Sequence, residues 1–370
     1  MSSKVYMTDM KSTTNSESLV KKLSKLFYKA GFHEIIDEDD FVAVKQHFGE
    51  PGNAAYIRPV FTRQIVEDIK KQKGKAFLTD ANTLYVGQRA NSVDHLNSAI
   101  ANGFSYATIQ APIIIADGLT GKNSVEVEVN LNHFDKIKVG GEVMEADVLI
   151  SLAHFKGHEL TGFGGTFKNI GMGLGSRAGK QMMHSAVLPE IDEEYCIKCM
   201  QCVKYCPEDC ITINDEESYI DHEICIGCGE CVVTCPTEAI SIEWEATSEG
   251  VEERQVEFVY GIVKDKKEKT AYINFVNNVS PDCDCAGWND RPIVNDIGIL
   301  ASKDPVALEQ ASLDLVNNEE EAKGMLADQG IKAGENKFKY VHPNTDGGIR
   351  QIEYAEEIGL GSSEYELIKV

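Results

Sequence analysis

Eight of the eleven cysteines stand in two copies of one pattern, twenty-nine residues apart: Cys196-x-x-Cys199-x-x-Cys202-x-x-x-Cys206-Pro207 and Cys225-x-x-Cys228-x-x-Cys231-x-x-x-Cys235-Pro236. Thiolates at i, i+3 and i+6 on a tight loop reach three irons of one cubane, while the fourth cysteine, followed by proline, is carried away to the other cluster. The spacing therefore predicts two [4Fe–4S] clusters and one-electron chemistry at low potential. Cys196, Cys199, Cys202 and Cys235 would hold one cluster, and Cys225, Cys228, Cys231 and Cys206 the other. A zinc site accounts for C-x-x-C pairs but not for a third cysteine and the Cys-Pro step. A disulfide framework belongs to short secreted chains. The repeat extends past the ligands, with Ile211 opposite Ile240 and Ile213 opposite Ile242. Cys210 falls opposite Ala239 and reads as a small packing residue, not a ligand.

A second group of reactive side chains follows the apolar runs that read as strands. Lys45, His47, Gly49 and Glu50 follow one run, Asp80 and Asn82 another, and His154, Lys156 and His158 a third. Asp282, Cys283 and Cys285 follow a fourth. Open α/β sheets bind ligands outside the carboxyl ends of their strands, so groups collected there are candidates for an active site. Strand ends are also simply where polar loops occur. The stretch from His158 to His184 is rich in glycine, which lets backbone N–H groups approach an anion. Neither the P-loop nor the G-x-G-x-x-G pattern fits it. Cys283-Asp284-Cys285 reads either as a metal or redox site or as two buried thiols in a loop. His133, His222 and His342 read as surface residues.

The elements that must position these groups alternate between strand and helix. Leu19 to Lys29 has helical periodicity and ends at Gly31; Phe61 to Lys71, Val93 to Asn102, Val306 to Val316 and Ile349 to Ile358 also read as helices. Phe41 to Lys45, Lys75 to Thr79, Pro112 to Ala116, Val125 to Val129 and Asp147 to Leu152 read as strands. So do Phe258 to Val263, Ala271 to Asn277 and Ile297 to Ala301. This is an α/β pattern: a mostly parallel sheet covered by helices, with an inserted small α+β ferredoxin-type domain. The expected division is 1–189 for the first part of the α/β domain, 190–244 for the cysteine-bearing domain, and 245–370 for the second α/β part. Glu245 to Arg254 serves as a polar return linker.

Bulk properties narrow the partners. A chain of 370 residues with net charge −23, from 59 acidic against 36 basic residues, argues against nucleic acid and anionic membranes. No run of about twenty apolar residues suggests a membrane span. Met1 to Thr14 is polar and carries no apolar leader segment. Abundant cysteine in so long a chain fits a reducing cytoplasm, and oxygen-sensitive clusters fit an anaerobic host. A redox partner protein or a small-molecule substrate is expected.

Two resemblances add to this reading. The spacing His158-x-x-x-Gly162-Phe163-x-Gly165-x-x-Lys168-x-Ile170-x-x-Gly173, followed by His184, resembles the active-site segment of the lactate racemase family. That resemblance implies a lysine tethering a nickel-pincer nucleotide at Lys168, a nickel-ligating histidine at His184 and a proton-transferring histidine at His158. His95 is a loose match to that family's second catalytic histidine, and Phe167 and Asn169 depart from the usual flanks of the tether. The stretches KQHFGEPGN at 45–53, DANTLYVGQR at 80–89, Lys168-Asn169, the paired cysteine motifs and ILASKDPVALE at 299–309 resemble the domain-of-unknown-function 362 family. They match its variant with an inserted ferredoxin domain.

The expected site therefore comprises His158, Lys168 and His184 in catalysis, Lys45, His47, Lys156 and Asn169 in cofactor binding, and the eight motif cysteines in metal binding. The expected cofactors are two [4Fe–4S] clusters, with an additional metal or nucleotide-derived cofactor as a further candidate. Three functions stay open: an oxidoreductase fed by the clusters, a nickel-pincer racemase or isomerase, and a non-catalytic electron carrier that docks to a partner.

Overall fold

The computed structural model describes residues 2–85, 87–184, 188–206, 208–214, 217–225, 227, 229–241, 250–327 and 329–370. Pro207, Cys228, Ile242, Trp244 and the linker residues 245–249 lie outside the described residues. An eight-stranded sheet forms the centre, in the order Tyr365–Lys369, Ser3–Asp9, Gly298–Ser302, Thr270–Val276, Val148–His154, Phe41–Gln46, Lys75–Asp80, Ile113–Ile115. Every neighbouring pair is parallel except the two pairs made by Gly298–Ser302, which runs against both its neighbours. The expected mostly parallel α/β sheet is what the chain forms.

Side chains alternate across a strand, so one buried strand feeds two cores. Val148, Ile150 and Leu152 face one layer, where they meet Leu23, Leu26 and Phe27 of helix Leu19–Lys29 and Ile65, Val66 and Ile69 of helix Pro59–Lys71. Leu149 faces the other layer, which holds Ile170 and Leu174 of helix Thr166–Leu174, Val256 and Val259 of helix Val251–Val263, and Leu308 and Ala311 of helix Pro305–Asn318. With all seven residues of Val148–His154 buried, polar groups on this strand have an outlet only at its ends.

Three sequence expectations require correction. Phe258 to Val263 is the last part of helix Val251–Val263, not a strand. Read from Val251, its buried residues Val256, Val259, Ile262 and Val263 keep helical spacing; a short apolar run alone does not separate the two states. Residues 251–254, expected as linker, are the first turn of that helix. The terminal strands Ser3–Asp9 and Tyr365–Lys369 were not expected; in the first only Val5, Met7 and Thr8 are buried, and in the second no residue is. The half-exposed strand expected near Val125 does form, as Ser124–Glu128, but in a separate hairpin with Lys136–Gly140.

The cysteine-rich stretch leaves the α/β layers after helix Arg177–Met183 and returns at helix Val251–Val263. It has its own small core, including Cys202, Cys210, Ile211, Ile220, Cys231, Val232 and Ile240. Two antiparallel pairs frame it, Glu190–Ile191 with Ile240–Ser241 and Ile211–Ile213 with Ser218–Ile220. Among the described residues, no helix is long and apolar enough to cross a membrane.

Helix Thr166–Leu174 carries Lys168 and Asn169, and its seat depends on a glycine. A Cβ on Gly171 would lie 2.2 Å from the Gln255 carbonyl oxygen on the facing helix. Replacing Gly171 by Ala is expected to cost about 1–3 kcal/mol of unfolding free energy through overpacking. Denaturant titration followed by circular dichroism checks this; unchanged stability would show that the helices are not in such close contact.

Candidate active site

The polar groups that follow four neighbouring strands converge on one cavity of about 380 Å³. Among the described residues, five basic side chains line it: Lys45, Arg89, Lys156, Lys168 and Lys180. The acidic lining residues are Asp80 and Glu159. In a chain with net charge −23, such a basic lining suits negative charge.

Each cation is held by a specific partner. Lys45 Nζ lies 3.0 Å from Asp80 Oδ1 and donates to Asn169 Oδ1 at 2.9 Å, with both ends of the ion pair almost fully buried. Against the cost of burial, Lys45, His95 and His47 hold the Asp80 carboxyl well below the usual carboxylate range. Gly173 leaves room for this pair, since a Cβ there would sit 2.5 Å from Lys45 Nζ. Arg89 Nε donates to Glu50 Oε2 at 2.6 Å, and its Nη2 donates to the Tyr85 hydroxyl. Lys156 Nζ donates to the His154 carbonyl at 2.9 Å and stands 3.7 Å from Asp284 Oδ2. Lys180 Nζ donates to the Gly175 carbonyl at 2.6 Å. Burial pushes the Lys180 ammonium down to about 8, opposed by Asp117 and Asp80.

The histidines differ in kind. The Gly49 N–H donates to His47 Nδ1 at 2.9 Å, and the Leu160 N–H donates to His158 Nδ1 at 3.2 Å. Each ring must therefore carry its proton on Nε2 when neutral. Burial holds both well below the ordinary histidine value, with Arg89 adding to the effect at His47 and Lys168 at His158. Both line the cavity, and the lowered values favour the neutral ring. Such rings donate a hydrogen bond to a developing oxyanion and are poor bases through Nδ1. His184 also lines the cavity and is pushed down to about 4 by burial and by Lys168.

The strand-end loop at Asp282–Cys285 supplies sulfur. Lys168 Nζ donates to Cys283 Sγ at 3.0 Å, and the Cys285 N–H donates to the same sulfur at 3.4 Å. A hydrogen bond from Cys285, then Lys168, Lys156 and His158, hold the Cys283 thiol well below its ordinary value despite burial. The same hydrogen bond, together with burial, pushes Cys285 well above it. Of the two sulfurs, Cys283 Sγ is the one that receives the Lys168 ammonium and the Cys285 N–H, which favours the thiolate there over Cys285. His154 clamps the loop: its Nδ1 lies 2.8 Å from Asp284 Oδ1, and its Nε2 faces the carbonyls of Asn277 and Asn278. His342, expected at the surface, is half-buried and holds the Pro281 carbonyl at 2.8 Å.

The structure thus brings His158, Lys168, His184, Lys45, His47, Lys156 and Asn169 to one cavity. Asn169 has its amide fully engaged, with Lys45 on Oδ1 and Ser151 Oγ, Leu152 O and Lys45 O on Nδ2, so it positions its neighbours. His95 is fully buried 3.6 Å from Asp80 Oδ2 and does not line the cavity. Sequence reasoning left Arg89, Tyr85 and Lys180 out of the site. Their signal was position: the first two follow the strand Lys75–Asp80, and Lys180 lies inside the glycine-rich segment.

The cysteine segment presents a second geometry. Cys196, Cys199, Cys202 and Cys235 line one narrow cavity together with Ala239. Cys206 Sγ lies 3.4 Å from Cys210 Sγ, and burial, together with Cys206 and Cys225 beside it, pushes the Cys210 thiol up to about 12. Cys231 is buried in the same core, and Cys228 lies outside the described residues. Left-handed backbone recurs at the twenty-nine-residue offset: Lys198 and Gly227, Met200 and Gly229, Asp209 and Glu238. The repeat is therefore one of conformation as well as spacing. Two contacts seat this segment beside the basic cavity. Leu84 lines the cavity and also belongs to the cysteine-segment core. Gly229 lies so close to helix Arg177–Met183 that a Cβ would meet Gln181 Cβ at 2.5 Å.

A family model described as Domain of unknown function (DUF362) matches residues 42–314. No curated protein matches. Among solved structures, the lactate racemase apoprotein from Thermoanaerobacterium thermosaccharolyticum is 12% identical, with a TM-score of 0.39, over 74% of this chain and 51% of its own. A protein from Thermotoga maritima is 12% identical, with a TM-score of 0.36, over 77% of this chain and 55% of its own. The chain thus spans about half the length of these structures.

The value of about 8 at Lys180 has a direct consequence. Lys180 carries a full charge below that pH and loses it above, so sulfate, whose own charge is constant, is expected to bind more weakly as pH rises from 7 to 9. Calorimetric titration checks this, and Lys180→Gln is expected to flatten the profile. A wild-type profile that is already flat would remove Lys180 from anion binding.

Proposed function

The chain belongs to the DUF362 family, and from that premise we propose that it is an oxidoreductase. Two [4Fe–4S] clusters in the segment 190–244 exchange electrons with an anionic substrate bound in the α/β cavity. The observation that carries this reading is the shared wall: Leu84 is at once part of the basic cavity and part of the core that packs the motif cysteines. The donor set fits the clusters. The four cysteines assigned to the first cluster by spacing line one cavity, and Cys206 from the first motif and Cys225 of the second both stand beside Cys210. Bound there, the clusters would supply single electrons at low potential. Ala239 beside the first site and Cys210 beside the second are equivalent buried wall residues, which supports the packing role given to Cys210.

Within the α/β cavity the chain's own groups divide the work. Lys45, Arg89, Lys156 and Lys180 bind and orient negative charge. His47 and His158 offer Nε2–H donors where charge grows on the substrate. His184 and Lys168 stand at the same cavity, and Lys168 keeps Cys283 in its anionic form. The basic interior and acidic exterior also suit a small anionic substrate better than a macromolecular one in the cavity itself, while the acidic surface suits a redox partner with a basic face.

Metal analysis of protein purified without oxygen tests this reading. About eight irons per chain are expected, with Cys235→Ser lowering the content by roughly half. Iron near zero in fully folded protein would overturn the cluster reading.

A second reading has one observation behind it: His158, Lys168 and His184, the positions matching the racemase segment, line the same cavity. Under a nickel-pincer chemistry Lys168 would be modified and bound nickel would be lost in His184→Ala. Against it, Lys168 is engaged with Cys283, and His158 Nδ1 accepts a backbone hydrogen bond. Mass analysis of the Lys168 peptide decides between the readings: an unmodified lysine in active protein removes the second.

A further inference from the structure

Neither reading uses the two thiols that the fold aims into the cavity. Cys283 and Cys285 both line it, and their sulfurs, with a ring nitrogen of His158, all lie within 4.8 Å of one another. Three features separate this pair from thiols that merely fill space. Lys168 Nζ and the Cys285 N–H both donate to Cys283 Sγ, which singles out one sulfur as the thiolate. The loop that carries them is fastened by His154 through Asp284, by His342 through Pro281, and by Glu50, whose N–H donates to the Asp284 carbonyl. The surrounding cations disfavour a bare divalent metal at the same place, because Lys156 and Lys168 stand beside the sulfurs.

We propose that Cys283 and Cys285 form a redox-active thiol–disulfide centre whose substrate is a small anionic disulfide bound by the basic cavity. The Cys283 thiolate attacks one sulfur of the substrate; the substrate S–S bond breaks and its other half leaves as a thiolate. Lys168 and the Nε2–H of His158 stand where that leaving charge develops. Cys285 loses its proton and attacks Cys283 Sγ, releasing the second half and closing the Cys283–Cys285 disulfide. Closure brings the sulfurs to about 2.05 Å and strains a C-x-C loop, which favours a readily reduced bond. Two electrons and one proton then return the pair to one thiolate and one thiol. This last step rests on the proposed cluster reading: clusters held by the motif cysteines would supply the two electrons, one each.

The test uses cluster-loaded protein prepared without oxygen and the dianionic aromatic disulfide dithiobis(nitrobenzoate), at one equivalent, followed by alkylation and peptide mass mapping. The wild type is expected to yield a Cys283–Cys285 disulfide. Cys285→Ser is expected to accumulate the mixed disulfide on Cys283, and Cys283→Ser to react at this loop at least about tenfold more slowly. The Cys283→Ser/Cys285→Ser double variant reports any attack on the cluster cysteines, and circular dichroism reports its fold. Unreacted thiols at both positions in folded wild type, label on Cys285 in preference to Cys283, or a tightly held metal that blocks the reaction would each overturn the proposal. A separate readout concerns the clusters. In protein with pre-reduced clusters, the disulfide is expected to restore their visible absorbance in the wild type and not in Cys283→Ser. Mapping as expected with absorbance still bleached would overturn the electron delivery from the clusters and leave the thiol centre standing.

Discussion

Burying several like charges around one cavity is the constraint on which this structure depends. A buried ammonium or guanidinium left without a partner costs several kcal/mol, roughly 3–5 when an existing pair is broken. Here four of the five cations are matched by a partner from another part of the chain, while Lys180 donates to the nearby Gly175 carbonyl. Lys45 meets Asp80 and Asn169, Arg89 meets Glu50, Lys168 meets Cys283, and Lys156 stands near Asp284. The matching ties together loops that are far apart in the chain, so the charge arrangement and the positions of the loops are one problem with one solution. It also explains why a thiolate is tolerated at depth: it is the counter-ion of Lys168.

Much of this was legible in the residues. The cysteine spacing carried its own prediction about which thiols share a site; in the fold Cys196, Cys199, Cys202 and Cys235 line one cavity. The strand-end groups were legible too, because parallel strands buried on both faces leave polar chemistry only at their ends. What was not legible depended on partners remote in sequence. The strands Ser3–Asp9 and Tyr365–Lys369 pair with each other across nearly the whole chain, and neither carries a continuous buried run. Helix Val251–Val263 was misread at its end because four apolar residues in six look alike in a strand and in a helix buried on most sides. Arg89 and Lys180 drew no attention because an isolated basic residue is normally solvated. Only the folded charge balance reveals that these are not.

The histidines show the limit of arguing from residue type. In the sequence, His158 reads as a proton-transfer residue, His184 as a nickel ligand, His47 as a cofactor-binding residue and His95 as a loose match to a second catalytic histidine, with His154 placed only among the strand-end groups. Their hydrogen-bond partners divide them. A backbone N–H on Nδ1 makes His47 and His158 donors, two sets of acceptors make His154 a clamp, and complete burial beside Asp80 removes His95 from the cavity. Tautomer is set by the loop that follows each ring, and no spacing rule contains it.

The position of Leu84 has a thermodynamic meaning of its own. One side chain belongs to the lining of the basic cavity and to the apolar interior of the cysteine segment. A ligand that displaces it alters the packing of that interior, and a rearrangement of the interior alters the cavity. Linkage makes any such coupling reciprocal: whatever occupancy of the cavity does to the stability of the cysteine segment, the state of that segment does to affinity in the cavity, by the same factor. Any coupling of this kind would run through one leucine side chain and need no electron to pass.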